Sequence, residues 1–288
     1  KKTGEKYDVA LLVQLPHEWD PSAAHYNIGV TAAIETDRAH PHWIYHSNNV
    51  IDQIITVSNH AARSMTSPSY ALIKKDTGEN IQAKLSKKVT VIGFPVKEYK
   101  KTDNDILNTV DTKFNFLSVL QSSPRKNLST LVTSFVKEFS KDEEVGLILK
   151  ANKVCNSKID RRMIEGELKT LCSQFKPYKC KVYLLHSNLS EEEIDSLYKD
   201  EKVNAYATTT HGEGFGLPIF EAAYNGVPVI APAWSGHTDY LYMPVENTVS
   251  KRVKKSPFFT KVKFKVEQVQ KEVAMDNLIT EDSRWCFA

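Results

Sequence analysis

Two glutamates, Glu213 and Glu221, flank a turn of Gly214, Phe215 and Gly216 in the run HGEGFGLPIFEAAYNGVPVIAP. The glycines let the backbone bend and come close to a ligand. Pro218 predicts the first turn of a helix, where its missing N–H costs nothing. That helix runs through two alanines and stops at Gly226. Free N–H groups at a helix start, with a dipole charge of about +0.5, attract phosphate. Glu221 falls about one turn into the helix. Its two acceptor oxygens suit a vicinal diol such as ribose, and Glu213 would face a sugar. Together these residues suit a sugar carried on a diphosphate. In the plainer alternative the acids only complement the dipole and the glycines only serve the turn. That accounts for each residue alone, but not for the ordered run.

Such a site needs strands that end, and helices that begin, along one edge. The chain supplies them in alternation. The spacing predicts strands at 7–13, 28–34, 53–58 and 89–96, the first read as a buried parallel strand. Residues 43–50 read as helix or loop. Ser58 is predicted to cap a helix starting at Asn59. Residues 97–112 are polar, lack a strong period and form the best linker candidate. Beyond them, strands are predicted at 114–120, 145–151, 181–186, 203–209 and 227–231. Helices are predicted at 127–139 and 160–175, and after a Ser190/Glu193 capping box. Asp239 and His237, after Trp234-Ser235-Gly236, open a further helix. The pattern is α/β and doubly wound, with expected domains 1–105 and 106–288.

Three segments in order carry a family resemblance: FNFLSVLQSSPRKNLSTLVTSF (114–135), VYLLHSNLSEEEIDSLYKD (182–200) and EGFGLPIFEAAYNGVPVIAP. They resemble the retaining GT-B glycosyltransferases with a Glu-x7-Glu segment, a family that includes sucrose-phosphate synthases and bacterial lipid mannosyltransferases. The resemblance implies two Rossmann-like domains facing a crevice, an acceptor side followed by a donor side, with the N-terminal one shortened here. It implies transfer of a hexose from a GDP- or UDP-linked donor to a glycan, lipid or small-molecule acceptor. The leaving phosphate itself would help deprotonate that acceptor, with neither metal nor further cofactor.

Residue by residue, the resemblance gives Lys126 the leaving diphosphate, with Arg125 beside it. Glu213 takes the sugar and Glu221 the ribose, with Gly214, Phe215, Gly216 and Leu217 forming the donor loop. His186 would lie near the base. A Gly-Arg pair usual in the family is replaced here by Leu120-Gln121, so a second cation is missing from its usual place. A His at a strand end, facing the transferred sugar, is replaced by Glu35. Glu35 or Asp37 would orient or deprotonate an acceptor hydroxyl, or be an ordinary strand-end acid. His17 and Glu18 also point to the crevice, and Ser58 would donate at a helix start. His211 would touch phosphate or cap its strand. Two alternatives stand: a binding module that has lost activity, and a GT-B sugar-nucleotide epimerase.

The 288 residues, 25% charged and 41% hydrophobic, suit a two-domain globular protein. A net charge of +3 gives no case for nucleic acid as partner. Residues 251–265 are Lys-rich, read first as a solvated surface and alternatively as a contact for nucleic acid or anionic lipid head groups, the lipid being the alternative kept. Four cysteines without a Cys-x-x-Cys pair read as free thiols in a reducing compartment. His40, His42 and His46 are a weak metal candidate, better read as loop histidines. No signal peptide or membrane span is legible. A cytoplasmic protein, peripheral to a membrane at most, is expected. The chain reaches its first strand at once and stops after EDSRWCFA, which follows a segment read as helical. A fragment or natural short form is therefore expected.

Overall fold

The structure is a computed structural model that describes residues 5–73, 77–102, 105–248, 250–274 and 278–288. Its first half contains β1 (Tyr7–Val13), β2 (Ala24–Thr31), α1 (Pro41–Val50), β3 (Gln53–Thr56) and α2 (Asn59–Thr66). A hairpin of β4 (Ser69–Ile73) and β5 (Asn80–Lys84) and then β6 (Lys88–Val91) follow. Strands β1, β2, β3 and β6 form a parallel sheet in that order. Trp19, Trp43, Ile44, Ile54 and Met65 fill the core on one side of it.

Several expectations are corrected here. β1 is a strand but not a buried one: Tyr7, Val9, Leu11 and Val13 are exposed, because β1 is the sheet's edge. The second strand stops at Thr31 rather than Ile34, where Ala33 takes a left-handed φ of 54° that no strand continues through. The third ends at Thr56, since Ser58 Oγ accepts from Ala61 N and starts α2 as expected. β6 ends at Val91, ahead of a segment with Gly93 and Pro95. Residues 43–50 lie in α1, with His40 as its cap.

The second half contains β7 (Phe114–Gln121), α3 (Leu128–Glu138), β8 (Val145–Asn152), α4 (Lys158–Ser173) and β9 (Lys181–Leu185). It continues with α5 (Glu191–Tyr198), β10 (Ala205–Ala207), α6 (Leu217–Tyr224), β11 (Val229–Pro232) and α7 (Thr238–Leu241). A hairpin of β12 (Tyr242–Glu246) and β13 (Val253–Pro257), then β14 (Thr260–Val262), β15 (Lys265–Gln268) and β16 (Arg284–Phe287) complete it. Six strands make a parallel sheet, β14-β11-β10-β7-β8-β9. One apolar core, with α3 and α4, holds Leu128, Phe135, Leu147 and Ile164. The other, with α5 and α6, holds Leu117, Ile148, Leu197 and Ile219. Covered on both faces, β8 is buried almost throughout, which is why VGLILKA reads as a continuous apolar run.

The segment expected to link the halves packs instead at its far end. Leu107 and Val110 are buried in the second half's core, and Lys202 Nζ donates to their carbonyls at 2.9 and 3.0 Å. Residues 103 and 104 of that segment lie outside the described residues. Among the described residues the segment before EDSRWCFA is not helical: it holds the strand β15, which pairs antiparallel with β16. β16 also reaches both halves. Asp37 N donates to Arg284 O at 2.8 Å and Cys286 N to His211 O at 3.0 Å.

Candidate functional site

β7 ends and a single 3-10 turn, Pro124–Lys126, brings two cations over the sheet's carboxyl edge. Asn127 then turns left-handed (φ 50°) to start α3. Both cations converge on Glu213. Lys126 Nζ lies 2.6 Å from Glu213 Oε1 and Arg125 Nη1 lies 2.9 Å from Oε2. Arg125 also donates to Gly212 O at 2.8 Å and pairs with Glu35 Oε1 at 3.3 Å. Glu35 comes from the first half of the chain, so this cluster spans both halves. Burial acts to raise the Glu213 pKa, but the charges of Lys126 and Arg125 outweigh it and hold the carboxyl below its ordinary value. Glu213 is therefore an anion around which one guanidinium and one ammonium group are organised.

The backbone of Glu213 is held just as firmly. Its N–H donates to Ser235 Oγ at 2.9 Å, and its carbonyl accepts from Gly236 N at 2.8 Å. A Cβ on Gly236 would meet Gly214 O at 2.0 Å, so only glycine lets this loop seat. Gly216 caps α6 at φ 86°, a left-handed geometry that glycine adopts without strain.

Two cavities open around the start of α6. One, of about 400 Å³, is lined by Gln121, Ser123, Arg125, Lys126, Lys150 and Pro218 among others. The second, of about 490 Å³, is lined by Phe94, Leu189, Leu217, Phe220, Glu221 and Tyr224 among others. Ile194 lines both. Glu221 lies in the second, where Tyr198 Oη donates to its Oε2 at 3.1 Å. Burial, then the charges of Asp195 and Glu191, push its pKa up against the Tyr198 hydrogen bond. A glutamate raised on folding stabilises below its unfolded pKa, and that contribution is lost as pH rises through the folded one. Near neutral pH its charge is thus a burden. Glu221→Gln is expected to raise the melting temperature by a few degrees at pH 7 (about 0.5–1 kcal/mol), with little change below pH 4. Thermal scans across pH read this directly; a neutral-pH loss would contradict it.

The expected site residues therefore fall into three groups. Glu213, Lys126, Arg125 and Glu35 are brought into one cluster. Glu221 and Leu217 line the neighbouring cavity. The rest line neither of these two cavities. Gly214 faces the first half, where its carbonyl accepts from Ser58 Oγ at 2.6 Å. Phe215 is buried against Phe94, Phe220 and Tyr240. His186 has a buried side chain 2.9 Å from Asp160 Oδ2, and neither of these two cavities is lined by it. His211 stacks on Trp285, and its Nδ1 lies 2.5 Å from Cys286 O. Asp239 accepts from Asn59 N at 2.6 Å and so ties α2 to the second half. His46 is turned to the Trp19 carbonyl at 3.0 Å, and His42 stacks on it.

Three contributors escape a reading of the sequence. Ser235 and Tyr198 position the two glutamates through contacts 22 and 23 residues apart in the chain. Lys150 did leave a signal: it is the one charged residue in the apolar run of β8. It is 9% exposed, lines the cation cavity, and burial pulls its pKa down.

The two parallel sheets meeting at this cluster define the GT-B class of fold. Among solved structures, the chain is similar to S. aureus TarM (14% identity, TM-score 0.52), covering 83% of this chain and 41% of that one. It is similar to Anabaena HepE (18% identity, TM-score 0.51; 77% and 57% covered) and to trehalose-6-phosphate synthase OtsA (8%, 0.52; 75% and 54%). The chain thus spans roughly half the length of these neighbours. No curated protein sequence matches it. A family model described as glycosyl transferases group 1 matches residues 100–251, more than half of the chain. The chain belongs to that family.

Proposed function

We propose that this chain transfers a hexose from a nucleoside-diphosphate sugar, UDP- or GDP-linked, to an acceptor hydroxyl with retention of configuration. The observation that carries this reading is the cluster of Lys126 and Arg125 on Glu213, at the edge of a cavity that has no acid in its described lining. Breaking the bond between the anomeric carbon and phosphate leaves charge on the diphosphate, and fixed cations in a dry site stabilise that charge. The nucleoside would lie in the adjoining cavity, its ribose on Glu221, and the diphosphate beside Lys126 and the start of α6. The acceptor oxygen bonds to the anomeric carbon on the face the phosphate leaves, and its proton passes to the departing phosphate oxygen. Glu35 stands where an acceptor from the first half would approach. The solved TarM structure holds UDP and HepE was solved with UDP and glucose, which supports a nucleotide sugar here.

Incubation of the chain with UDP- and GDP-hexoses and a panel of glycan and lipid acceptors should release nucleoside diphosphate and give a product with the donor's anomeric configuration. Binding without release would favour a module that has lost turnover, and an epimerised nucleotide sugar would favour the epimerase. Release with inversion would refute the retaining route.

A peripheral membrane contact is also proposed, through the hairpin of β12 and β13. Val253, Met243 and the following Phe258 are exposed there beside Lys251, Arg252, Lys254 and Lys255. Among the described residues no helix is long and apolar enough to cross a membrane. Each basic residue near an anionic surface contributes about 1 kcal/mol. Replacing all four by Gln should cut sedimentation with phosphatidylglycerol vesicles by more than tenfold and leave neutral vesicles unaffected; equal binding would remove the lipid role.

A further inference from the structure

The cavity beside Arg125 carries a charge imbalance that its contacts do not resolve. Three cations line it: Arg125, Lys126 and Lys150. The first two are engaged by Glu213 and Glu35. Lys150 has no ion pair or hydrogen bond among the described residues, and no carboxylate belongs to the cavity's described lining. The remaining polar lining is Gln121, Ser123 and Asn152. Gln121 is already tied at Nε2, which donates to Lys153 O at 3.0 Å.

β8 explains why Lys150 arrives there. The strand is parallel to β7 with Lys150 opposite Val119, one residue before Leu120 opposite Ala151. Lys150 is thus two residues short of the carboxyl end of β8, the edge at which open α/β sheets bind ligands. Its neighbours Leu149 and Ala151 point to a fully apolar interior and are buried. Lys150, between them, turns to the opposite face and the cavity, where a largely buried ammonium without a partner costs folding free energy. An anion placed in the cavity removes that cost and gains the attraction at once.

We infer that Lys150 is the unpaired cation that binds the diphosphate, and that it supplies the second positive charge which Leu120-Gln121 do not. This rests on the proposed function for the nucleotide part, whereas the oxyanion site itself does not. Arg125 and Lys126 already share their charge with Glu213 and Glu35, whereas the Lys150 side chain has all three of its donors and its full charge to offer an anion. The diphosphate would therefore dock first on Lys150, with Lys126 sharing it as charge develops.

Calorimetric titration of the full chain with inorganic pyrophosphate, UDP, GDP and uridine, for wild type, Lys150→Met and Lys150→Arg, tests this. Lys150→Met should weaken pyrophosphate and the nucleoside diphosphate by at least about tenfold, as expected for a lost charge-assisted bond. Uridine should be unaffected, and Lys150→Arg should keep affinity within about threefold. The unliganded Lys150→Met protein should melt at the same or a higher temperature, because an isolated buried charge is gone. A residue with only a structural role would instead lower melting and leave the pyrophosphate-to-uridine ratio unchanged. Wild type and Lys150→Met binding UDP or GDP equally would overturn the inference and leave the proposed function standing. Lys150-dependent binding of pyrophosphate without any nucleoside diphosphate would do the reverse. Wild type binding none of the anions would overturn both.

Discussion

Glu213→Ala is expected to lose most of its activity and several degrees of melting temperature together. Glu213 is the common partner of Lys126 and Arg125, and all three side chains are largely buried. Removing one member of a buried ion cluster strands the others, at a cost of roughly 3 kcal/mol. In a chain of this size that corresponds to a fall of about 6–12 °C. Loss of the carboxylate also frees the cations to shift, and a misplacement of about 1 Å costs on the order of 100-fold in rate. Glu213→Gln keeps an acceptor oxygen and should fall between. The pH dependence follows from the depressed pKa. A glutamate lowered on folding stabilises above its unfolded value of 4.5 and loses that contribution as pH falls through the folded one. Wild type should therefore lose stability from about pH 4.5 downward, and Glu213→Gln should show a shallower acid limb. Thermal scans at pH 7, 5 and 3, with donor turnover at pH 7, decide it. An alanine variant with wild-type melting would show the cluster to be unimportant.

Gly212→Ala is expected to act at the seam between the two halves. A Cβ there would sit 2.2 Å from Glu35 O and 2.9 Å from the Trp234 ring. The obstacle is backbone, which cannot swing aside as a side-chain tip would. Relief requires the Glu35 loop to retreat, and that retreat stretches the 3.3 Å pair from Arg125 to Glu35. Overpacking of this kind costs about 1–3 kcal/mol, or roughly 2–12 °C. The greater loss is in kcat/KM, on the order of 100-fold, since under the proposed function the seam sets how the acceptor meets the donor. Gly166→Ala is the control: it lies inside α4 with nothing within 4 Å of its Cβ position, and should be neutral or stabilising by up to about 1 kcal/mol. Equal melting and turnover for the two alanines would refute the steric account.

Much of this architecture is legible in the chain because local chemistry and tertiary position agree. β8 reads as continuous apolar sequence because it is covered on both faces. Ser190 and Glu193 form the expected reciprocal cap. The cluster on Glu213 required Arg125 and Lys126 to meet a residue almost ninety positions away; the resemblance put Lys126 on the diphosphate in the same crevice but gave no pairing with Glu213. Other parts have no local signature. Nothing in Tyr7–Val13 says that it lies at a sheet edge, since apolar sequence looks the same whether or not the fold covers it. The retreat of residues 32–34 from strand to loop depends on one left-handed residue, Ala33, of a type that seldom adopts that geometry. His186 follows a strand end, as a ligand contact would, yet Asp160 from a helix 26 residues earlier claims its ring.

The four residues Arg284–Phe287 act on the two halves as a seam thread. Asp37 is tied to Arg284 by backbone and side-chain bonds, of which Arg284 N to Asp37 Oδ1 is 2.7 Å. His211 is tied two residues later, through both its carbonyl and its ring. Separating the halves at this point means peeling the thread from one of them. Opening the crevice at the Glu35–Gly212 edge therefore costs every bond on one side of the thread at once. The opposite edge is tied as well, where Lys97 and Tyr99 both reach the Glu191 carboxylate beside the second cavity.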